Sequence, residues 1–251
     1  MYFKKEEKIM WDKKSENYPR YNPNSEIFQN RVWEILNKEG AICKDYRLLD
    51  IGCGTGVYTI PLGKMFKEVY AMDISSKMLD ILEEDAKNYS VNNIKTIHST
   101  WDELDLKEMK FDVVFASKTP AIKESKDYKK MADYSNKYVA YLGWAGVKRS
   151  NIQNEILKIY PNIEFRKFDD TTAFKKWLEK ESIEYKSTIF EDTLTREMSR
   201  DNAVTQINEY ISKTDINLSN MEIENIIISI EKSGKLIYSL DVKLELILWE
   251  K

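Results

Sequence analysis

Residue types that build metal centres and disulfide frameworks are scarce in this chain. Among 251 residues there is one histidine, His98, and there are two cysteines, Cys43 and Cys53. Two cysteines make no disulfide framework, which favours a reduced, cytoplasmic protein. Without a second histidine, a cysteine cluster or carboxylates at ligand spacing, we predict that the protein holds no metal ion. His98 ends an apolar segment and is therefore predicted to be a packed residue rather than a catalytic base.

Long hydrophobic runs and an excess of charge of one sign are also missing. No apolar run approaches the roughly 20 residues that a membrane-spanning helix needs, so we expect no membrane partner. The first residues mix acids with bases around no apolar core, which is not typical of a signal peptide. The chain has 39 basic and 42 acidic residues, a net charge of −3. A protein that neutralises many phosphates needs a basic surface, so this balance argues against a nucleic-acid partner.

Glycine is scarce as well, with eight residues in the chain, yet three of them lie close together. An apolar strand over residues 47–52 leads directly into a turn that contains Gly52, Gly54 and Gly56. Glycines let the backbone turn sharply and approach a ligand closely. About twenty residues later a second apolar run ends at Asp73, where an open α/β sheet places a carboxylate that accepts hydrogen bonds from ribose hydroxyls. Together these signals predict a site for a nucleoside-containing cofactor.

The spacing of the glycines distinguishes this turn from two other nucleotide-binding turns. The dinucleotide fingerprint needs Gly-x-Gly-x-x-Gly, but Val57 stands at its last position, and no Gly-Lys-Ser or Gly-Lys-Thr follows as in a P-loop. The pattern D-x-G-x-G-x-G over residues 50–56, followed by Asp73, resembles the first two motifs of class I S-adenosylmethionine-dependent methyltransferases. The resemblance covers roughly residues 25–145. It implies S-adenosyl-L-methionine as the cofactor and S-adenosyl-L-homocysteine as the product.

Helical and strand-like segments alternate along the chain, which predicts an α/β, doubly wound, Rossmann-like fold. The predicted strands of the first half are residues 47–52, the run that ends at Asp73, and residues 94–100, 111–117 and 138–144. The resemblance implies a seven-stranded sheet that is mostly parallel with an antiparallel last strand. The β-like tail, at residues 236–240 and 244–249, is predicted to supply that strand.

Additional helical patterns occupy the second half of the chain. One of them begins with the capping box Ser219-x-x-Glu222 and has isoleucines at helical spacing. We predict a cofactor-binding core with an N-terminal lid over residues 1–146. Residues 147–251 are predicted to complete the sheet and to insert a helical substrate cap, so that the whole chain forms one structural domain.

The resemblance implies cofactor contacts from the glycine turn and from the ends of the second, third and fourth strands. The predicted cofactor-binding residues are Asp50, Gly52, Cys53, Gly54, Thr55, Gly56, Asp73, Ile74, Met78, Thr100, Trp101, Asp102 and Ser117. Thr100 departs from the family, which usually has an acid there that meets the adenine amino group. Thr100 is a weaker acceptor, and Asp102 can replace it, with Trp101 beside the adenine. Alternatively, Trp101 is a surface ring that covers the strand end.

Aromatic residues near the N-terminus resemble the lid segment of small-molecule methyltransferases. Rings with a polar tip suit the wall of a half-wet pocket, and open α/β sheets bind ligands beyond the carboxyl ends of their strands. The predicted substrate contacts are Trp11, Tyr18, Tyr21, Lys118 and Trp144. Alternatively, the rings only pack on the sheet edge, and the loop residues are satisfied by their neighbours.

The resemblance implies methyl transfer by in-line displacement to a small-molecule acceptor. A hydroxyl or ammonium acceptor needs a base, and the candidate catalytic residues are Tyr18, Tyr21 and Asp102. A carboxylate or thiolate acceptor needs none. Two alternatives stay open: a methyltransferase that acts on a macromolecule (protein or tRNA), and a protein that binds the cofactor without catalysis. The acceptor and the oligomeric state stay open as well.

Overall fold

The computed structural model describes residues 2–25, 27–165, 167–212 and 214–251. Over these residues the helices are α1 (Tyr2–Lys14), α2 (Ile27–Lys38), α3 (Thr59–Met65), α4 (Ser76–Asn88), α5 (Ser125–Tyr134), α6 (Asn151–Ile159), α7 (Thr171–Lys180), α8 (Arg200–Ile211) and α9 (Asn220–Ser229). The strands are β1 (Arg47–Ile51), β2 (Glu68–Asp73), β3 (Ile94–His98), β4 (Phe111–Ser117), β5 (Ser135–Ser150), β6 (Phe168–Asp169), β7 (Lys186–Glu197), β8 (Glu231–Lys232) and β9 (Lys235–Glu250).

Seven of these strands follow one another in the sheet in the order β3-β2-β1-β4-β5-β9-β7. The pairs β1–β2, β2–β3, β1–β4 and β4–β5 are parallel. β9 runs antiparallel to β5. The evidence is a hydrogen bond between the end of one strand and the start of the other: the N–H of Lys251, just after β9, donates to the carbonyl of Lys137, near the start of β5, at 2.7 Å. The predicted α/β fold, mostly parallel with a reversed last strand, is confirmed. The short strands β6 and β8 pair with β5 and β9 and raise the strand count to nine.

Contacts divide the chain into two compact units. The first contains the residues up to Gly143, Thr171–Thr188 and Glu245–Lys251, and the second contains Trp144–Asp170 and Ile189–Leu244. The chain therefore passes from one unit to the other four times. Within the described ranges, no helix is both long and apolar enough to span a membrane.

Strands β1 and β4 form the centre of the first unit. Leu48, Leu49 and Ile51 on β1 are at most 1% exposed, and Val114 and Phe115 on β4 are completely buried. Parallel strands that are covered on both faces are near-continuous apolar runs in the sequence. That property is why both strands were predicted close to their observed positions.

Helices α6, α8 and α9 of the second unit pack around one apolar core. Its buried members are Ile152, Ile156, Ala203, Ile207, Ile226, Ile227, Ile230 and Tyr238. The predicted capping box at the start of α9 is present: Ser219 Oγ accepts from the Glu222 N–H at 3.3 Å, and the Glu222 carboxylate accepts from the Ser219 N–H at 2.7 Å. Ser150 and Gln153 form an equivalent box at the start of α6.

Helix α1 is a feature that the polar N-terminal sequence did not predict. Asp12 accepts a 2.6 Å hydrogen bond from the Ser75 hydroxyl, and Glu7 forms an ion pair with Lys123 at 3.1 Å. Helical stability in proteins comes mainly from tertiary contacts, which a single sequence does not display.

His98 is exposed, so the prediction that it is a packed residue was wrong. The reason is the position of β3, which stands at the edge of the sheet that the described residues form. The ring Nε2 of His98 lies 3.0 Å from the Ile74 carbonyl oxygen.

Candidate active site

A cavity of about 160 Å³ lies where β1, β2 and β4 end, and α1 and the loop after β3 complete its wall. Many of the predicted cofactor and substrate residues line it: Trp11, Tyr18, Gly52, Gly54, Asp73, Ile74, Met78, Thr100, Trp101, Asp102, Ser117 and Lys118. The carboxyl ends of parallel strands are where open α/β sheets bind ligands. The strand ends thus bring residues that are far apart in the sequence to one place.

The glycine turn leaves β1 in a backbone conformation that favours glycine. The φ angle is +68° at Gly52 and +55° at Gly54, in the left-handed region. A Cβ atom at Gly52 would lie 2.1 Å from the Thr119 Oγ1, so the space is closed to a side chain. The N–H groups of Gly52 and Cys53 both donate to the Met72 carbonyl, at 2.8 and 3.0 Å. The turn therefore folds back onto the end of β2 and presents bare backbone to the cavity.

The Asp73 carboxylate joins this turn to the segment that follows β2. Its Oδ2 accepts from the Gly54 N–H at 2.8 Å, and its Oδ1 accepts from the Ser75 N–H at 2.9 Å. Asp73 is 8% exposed. Burial raises the pKa of Asp73, and the backbone N–H groups oppose that rise. A carboxylate has about four acceptor positions, so Asp73 can accept further hydrogen bonds from a ligand.

Asp50 is buried behind the glycine turn and is not among the described residues that line the cavity. The Thr59 hydroxyl donates to Asp50 Oδ2 at 2.7 Å. Burial raises the pKa of Asp50 to about 7, the hydrogen bond from Thr59 lowers it, and the charge of Asp73 raises it. Asp50 therefore supports the turn from behind and stays largely protonated below neutral pH.

The remaining predicted residues of the turn also lie outside the described lining of the cavity. Burial raises the pKa of the Cys53 thiol well above its usual range. The Thr55 hydroxyl donates to the Pro19 carbonyl at 2.5 Å. A Cβ atom at Gly56 would lie 2.3 Å from the Leu82 Cδ1, so this glycine permits close packing of the turn on α4. What the structure shows for these three residues is a supporting role.

The N-terminal segment is held over the cavity by several side chains. Besides the bonds of Asp12 to Ser75 and of Thr55 to Pro19, the Arg20 guanidinium binds the Asp85 carboxylate, with Nε donating to Oδ2 at 3.0 Å. Asp85 is itself buried on α4. The segment is thus attached to the glycine turn, to the loop after β2 and to α4.

Two of the three predicted lid rings line the cavity. Trp11 and Tyr18 are edge to face, with their ring centroids 6.1 Å apart. Although 41% of Tyr18 is exposed, burial of its hydroxyl raises the pKa of the phenol. Tyr21 is instead buried against Tyr89, with ring centroids 4.7 Å apart, and its hydroxyl accepts from the Lys64 Nζ at 3.0 Å. Tyr21 contributes to packing of the segment and is not in the described wall of the cavity.

The loop after β3 supplies a ring and a carboxylate. Trp101 is 3% exposed and lines the cavity, so it is not the surface ring of the alternative interpretation. Its Nε1 is buried and has no hydrogen-bond partner among the described residues. The Thr100 hydroxyl donates to the Glu103 carboxylate at 2.8 Å. Asp102 lies 3.7 Å from the ammonium group of Lys126.

The loop that follows β4 has an unusual backbone. Lys118 has a φ of +49°, which is uncommon for residues other than glycine. Its N–H donates to the Leu142 carbonyl at 2.7 Å, and its Nζ lies 5.1 Å from the Tyr58 ring centroid. The neighbouring Ser117 hydroxyl is buried without a hydrogen-bond partner in the described part of the chain. Strain and an unsatisfied polar atom at one strand end are typical of ligand sites.

Trp144 belongs to the second unit, in contrast to the other predicted substrate residues. Its ring lies 6.1 Å from the Phe168 ring, measured between centroids, and the Lys148 Nζ lies 4.4 Å from its centroid. The sequence predicted Trp144 as a pocket residue because it stands where β5 was expected to end. Since β5 continues to Ser150, Trp144 lies within the strand.

Sequence reasoning missed several charged residues that line the cavity. They are Glu7, Lys123, Glu124, Lys126 and Asp127. Asp127 is buried and its Oδ2 accepts from the N–H groups of Lys123 and Glu124, at 3.0 and 3.1 Å. The spacing of Glu124 and Asp127 is a detectable cap signal, but no local pattern places the start of α5 beside the glycine turn. Across the described ranges, no group of three or more His, Cys, Asp or Glu side chains is arranged to hold a metal ion.

Comparison with known sequences matches residues 48–138 to the family described as Methyltransferase domain. The chain is 35% identical to demethylmenaquinone methyltransferase from Staphylococcus aureus strain MRSA252 over an alignment of 104 residues. That alignment covers 40% of this chain and 42% of the S. aureus protein. The chain thus spans less than half the length of the curated relatives it matches.

Comparison with solved structures shows the same fold. The YcgJ protein from Bacillus subtilis has a TM-score of 0.57 at 13% identity, over 88% of this chain and 99% of that chain. Magnesium protoporphyrin IX methyltransferase from Synechocystis PCC 6803, solved with bound SAH, has a TM-score of 0.52 at 14% identity, over 95% of this chain and 93% of that chain. At these identities the likeness is one of fold.

The buried Asp50 leads to a prediction about pH. The folded chain keeps the Asp50 proton up to about pH 7, whereas an unfolded aspartate loses it at about pH 4. Between these values the folded state binds more protons, so the free energy of unfolding should fall as the pH rises, by at most about 1.4 kcal/mol per pH unit. Above pH 7 this contribution should level off.

Asp50→Asn keeps an acceptor for the Thr59 hydroxyl but removes the titration, so the variant should lose this slope. Urea unfolding from about pH 5 to about pH 8 measures the slope for both proteins. Equal slopes in the wild type and the variant would contradict the raised pKa.

Proposed function

We propose that this protein is an S-adenosyl-L-methionine-dependent methyltransferase that acts on a small molecule, because residues 48–138 match the methyltransferase domain family. One observation carries the proposal. The bare backbone of Gly52 and Gly54 and the buried Asp73 carboxylate lie together in the wall of one cavity. The cytoplasmic location expected from the sequence is part of the same proposal.

The part of the cavity wall formed by the ends of β1, β2 and β4 fits the ribose and the amino-acid end of S-adenosyl-L-methionine. Asp73 has acceptor positions for ribose hydroxyls beyond its bonds to the Gly54 and Ser75 N–H groups. Gly54, which also lines the cavity, lets a ligand approach the backbone closely. The buried Ser117 hydroxyl, which has no partner among the described residues, offers a hydrogen bond to a polar end of the ligand.

The loop after β3 fits the adenine. Trp101 presents a buried ring to the cavity, and ring faces suit the stacking of a planar base. For the adenine amino group we favour Asp102 over Thr100 as the acceptor, because a carboxylate is the stronger acceptor and the Thr100 Oγ1 already accepts from the Glu103 N–H at 3.2 Å. Asp102 would then take the role of the acid that the family usually has at the position of Thr100.

When bound, S-adenosyl-L-methionine supplies an activated methyl group, and transfer to an acceptor needs alignment at about 3 Å with water excluded. Trp11, on α1, and Tyr18 both line the cavity, and we assign to them the exclusion of water. Tyr18 keeps its proton because burial raises the pKa of its hydroxyl, so it would orient an acceptor as a hydrogen-bond donor. With Asp102 assigned to the adenine, we assign no general base, and an acceptor that must lose a proton would need one.

The names of similar proteins support a small acceptor. The cavity itself, at about 160 Å³, is below the roughly 300–1,000 Å³ of typical ligand pockets, and Glu7 and Trp11 of α1 line it. Helix α1 therefore has to move to admit the cofactor, whatever the acceptor is. The similar proteins from S. aureus and Synechocystis are both named for small-molecule acceptors.

The proposal is tested first by binding and then by transfer. Isothermal titration should detect S-adenosyl-L-homocysteine and should detect no NAD. The chain is then incubated with methyl-labelled S-adenosyl-L-methionine and a cell extract separated into small-molecule, protein and RNA fractions. Label in the small-molecule fraction supports the proposal. Label in protein or RNA would favour a macromolecular acceptor, binding without transfer would favour a binding protein, and NAD binding alone would end the methyltransferase interpretation.

Removal of the Asp73 carboxylate should weaken cofactor binding strongly. Asp73→Ala should reduce the affinity for S-adenosyl-L-homocysteine by about 2–4 kcal/mol, because hydrogen bonds to charged groups contribute about 1.5–3 kcal/mol each. It should also lower the free energy of unfolding, since the Gly54 and Ser75 N–H groups lose a buried acceptor. Titration calorimetry and urea unfolding measure the two effects.

Asp112→Ala is the matched control for this variant. Asp112 also accepts from a backbone N–H, that of Arg47 at 2.9 Å, but it stands at the opposite end of the parallel strands. The control should therefore lose stability while its affinity stays unchanged. A dissociation constant that Asp73→Ala leaves unaltered would show that the ribose has been assigned to the wrong residue.

The segment over the cavity should become more protected when ligand binds. Hydrogen exchange across residues 8–22 should slow markedly with S-adenosyl-L-homocysteine, because the segment has to open to admit the ligand and then closes over it. Asp12→Ala, which removes the bond from Ser75, should reduce that protection, whereas Glu16→Ala at an exposed position of the same segment should not. Equal protection with and without ligand would make the segment a fixed packing element.

A further inference from the structure

A second cavity, of about 460 Å³, lies within the second unit. The ends of β5, β7 and β9 form its floor, and α6 and α8 contribute to its sides through Gln153, Gln206 and Tyr210. Its volume falls within the range of roughly 300–1,000 Å³ that is typical of small-molecule pockets. Nothing in the methyltransferase proposal uses this cavity.

The pairing of β7 with β9 brings a cation and an aromatic ring together on this floor. The Met198 N–H donates to the Leu236 carbonyl at 3.0 Å, and β7 and β9 are antiparallel, since Lys243 pairs with Glu191 at 3.2 Å. This register sets Arg196 opposite Tyr238, and the Arg196 Cζ lies 5.0 Å from the Tyr238 ring centroid.

A second cation reaches the cavity from β5. The Lys148 Nζ lies 4.4 Å from the Trp144 ring centroid and 4.5 Å from the Phe168 ring centroid. Contacts of this kind hold a cation over the face of a ring. Both Lys148 and Arg196 are therefore placed by aromatic neighbours, and no carboxylate belongs to the described residues that line the cavity. The adjacent acid, Asp169, is exposed and outside that lining.

Two hydroxyl groups add hydrogen-bonding capacity. The hydroxyls of Tyr210 and Tyr238 lie 2.9 Å apart. Burial, followed by the bond to Tyr210, raises the pKa of Tyr238 above its usual range. Each hydroxyl has one O–H to donate, and one of the two O–H groups is used between the rings.

We propose that this cavity is a second binding site, which takes a planar aromatic anion with a carboxylate-type group. Arg196 and Lys148 supply the positive charge, and guanidinium groups match carboxylate geometry. The Phe168 ring and the Leu240 side chain supply the apolar surface for the body of the ligand. With two cations in the lining the site is far too weakly basic for a nucleic acid, which requires many phosphate contacts. The site rests on residues of the second unit alone.

The probe for the test is naphthoate, with naphthamide as its uncharged analogue, both titrated against the full chain by ligand-observed NMR and calorimetry. Naphthoate should bind and naphthamide should bind at least about tenfold more weakly, the equivalent of one charge-assisted hydrogen bond. Arg196→Gln and Lys148→Gln should each weaken naphthoate to a similar degree. Arg200→Gln, which removes the exposed ion pair between Arg200 on α8 and Glu224 on α9, is the matched control and should bind like the wild type.

A second arm of the experiment distinguishes naphthoate binding in this cavity from naphthoate binding in the first unit. Naphthoate affinity should be the same with saturating S-adenosyl-L-homocysteine present and in Lys118→Gln, because Lys118 lines the other cavity. The proposal is overturned if Lys118→Gln alone abolishes binding, if naphthamide binds as tightly as naphthoate, or if Arg196→Gln and Lys148→Gln both bind naphthoate like the wild type. Its outcome is independent of whether the chain transfers methyl groups.

Discussion

The bond between the Asp73 carboxylate and the Gly54 N–H is the contact on which the first cavity depends. It ties the turn after β1 to the end of β2, and the other carboxylate oxygen takes the Ser75 N–H. Ser75 in turn accepts from the Met78 N–H at the start of α4 and donates to Asp12 on α1. One carboxylate therefore stands at the centre of a hydrogen-bonded chain that positions a turn, a strand end and two helices.

The two buried aspartates, Asp50 and Asp73, influence each other's ionisation. Two carboxylates in one low-dielectric region are not both ionised without cost. Among the described residues, backbone N–H groups donate to Asp73, whereas the Thr59 hydroxyl donates to Asp50. Burial raises the pKa of Asp50 to about 7, and the backbone donors oppose the same rise at Asp73, the residue that lines the cavity.

Local patterns explain what could be predicted from the sequence. The glycine turn, the strand end at Asp73 and the capping box of Ser219 are each encoded within a few neighbouring residues, and β4 was predicted at its observed bounds, Phe111–Ser117. Features that depend on contacts between residues far apart in the sequence were not predicted. Helix α1 is stabilised through Ser75 and Lys123, and the length of β5 depends on its partners in the sheet, which is why Trp144 was expected at a strand end.

The charges of the two cavities show how one chain can provide two kinds of environment. The first cavity has acids and lysines side by side, with Asp73 and Asp102 near Lys118 and Lys126. A wall of mixed sign suits a ligand such as S-adenosyl-L-methionine, which bears a sulfonium, an ammonium and a carboxylate. The charged side chains among the described lining residues of the second cavity are Lys148 and Arg196, and each lies over an aromatic ring. Because a ring face attracts a cation without neutralising it, the Arg196 guanidinium over Tyr238 keeps the positive charge that an anionic ligand needs.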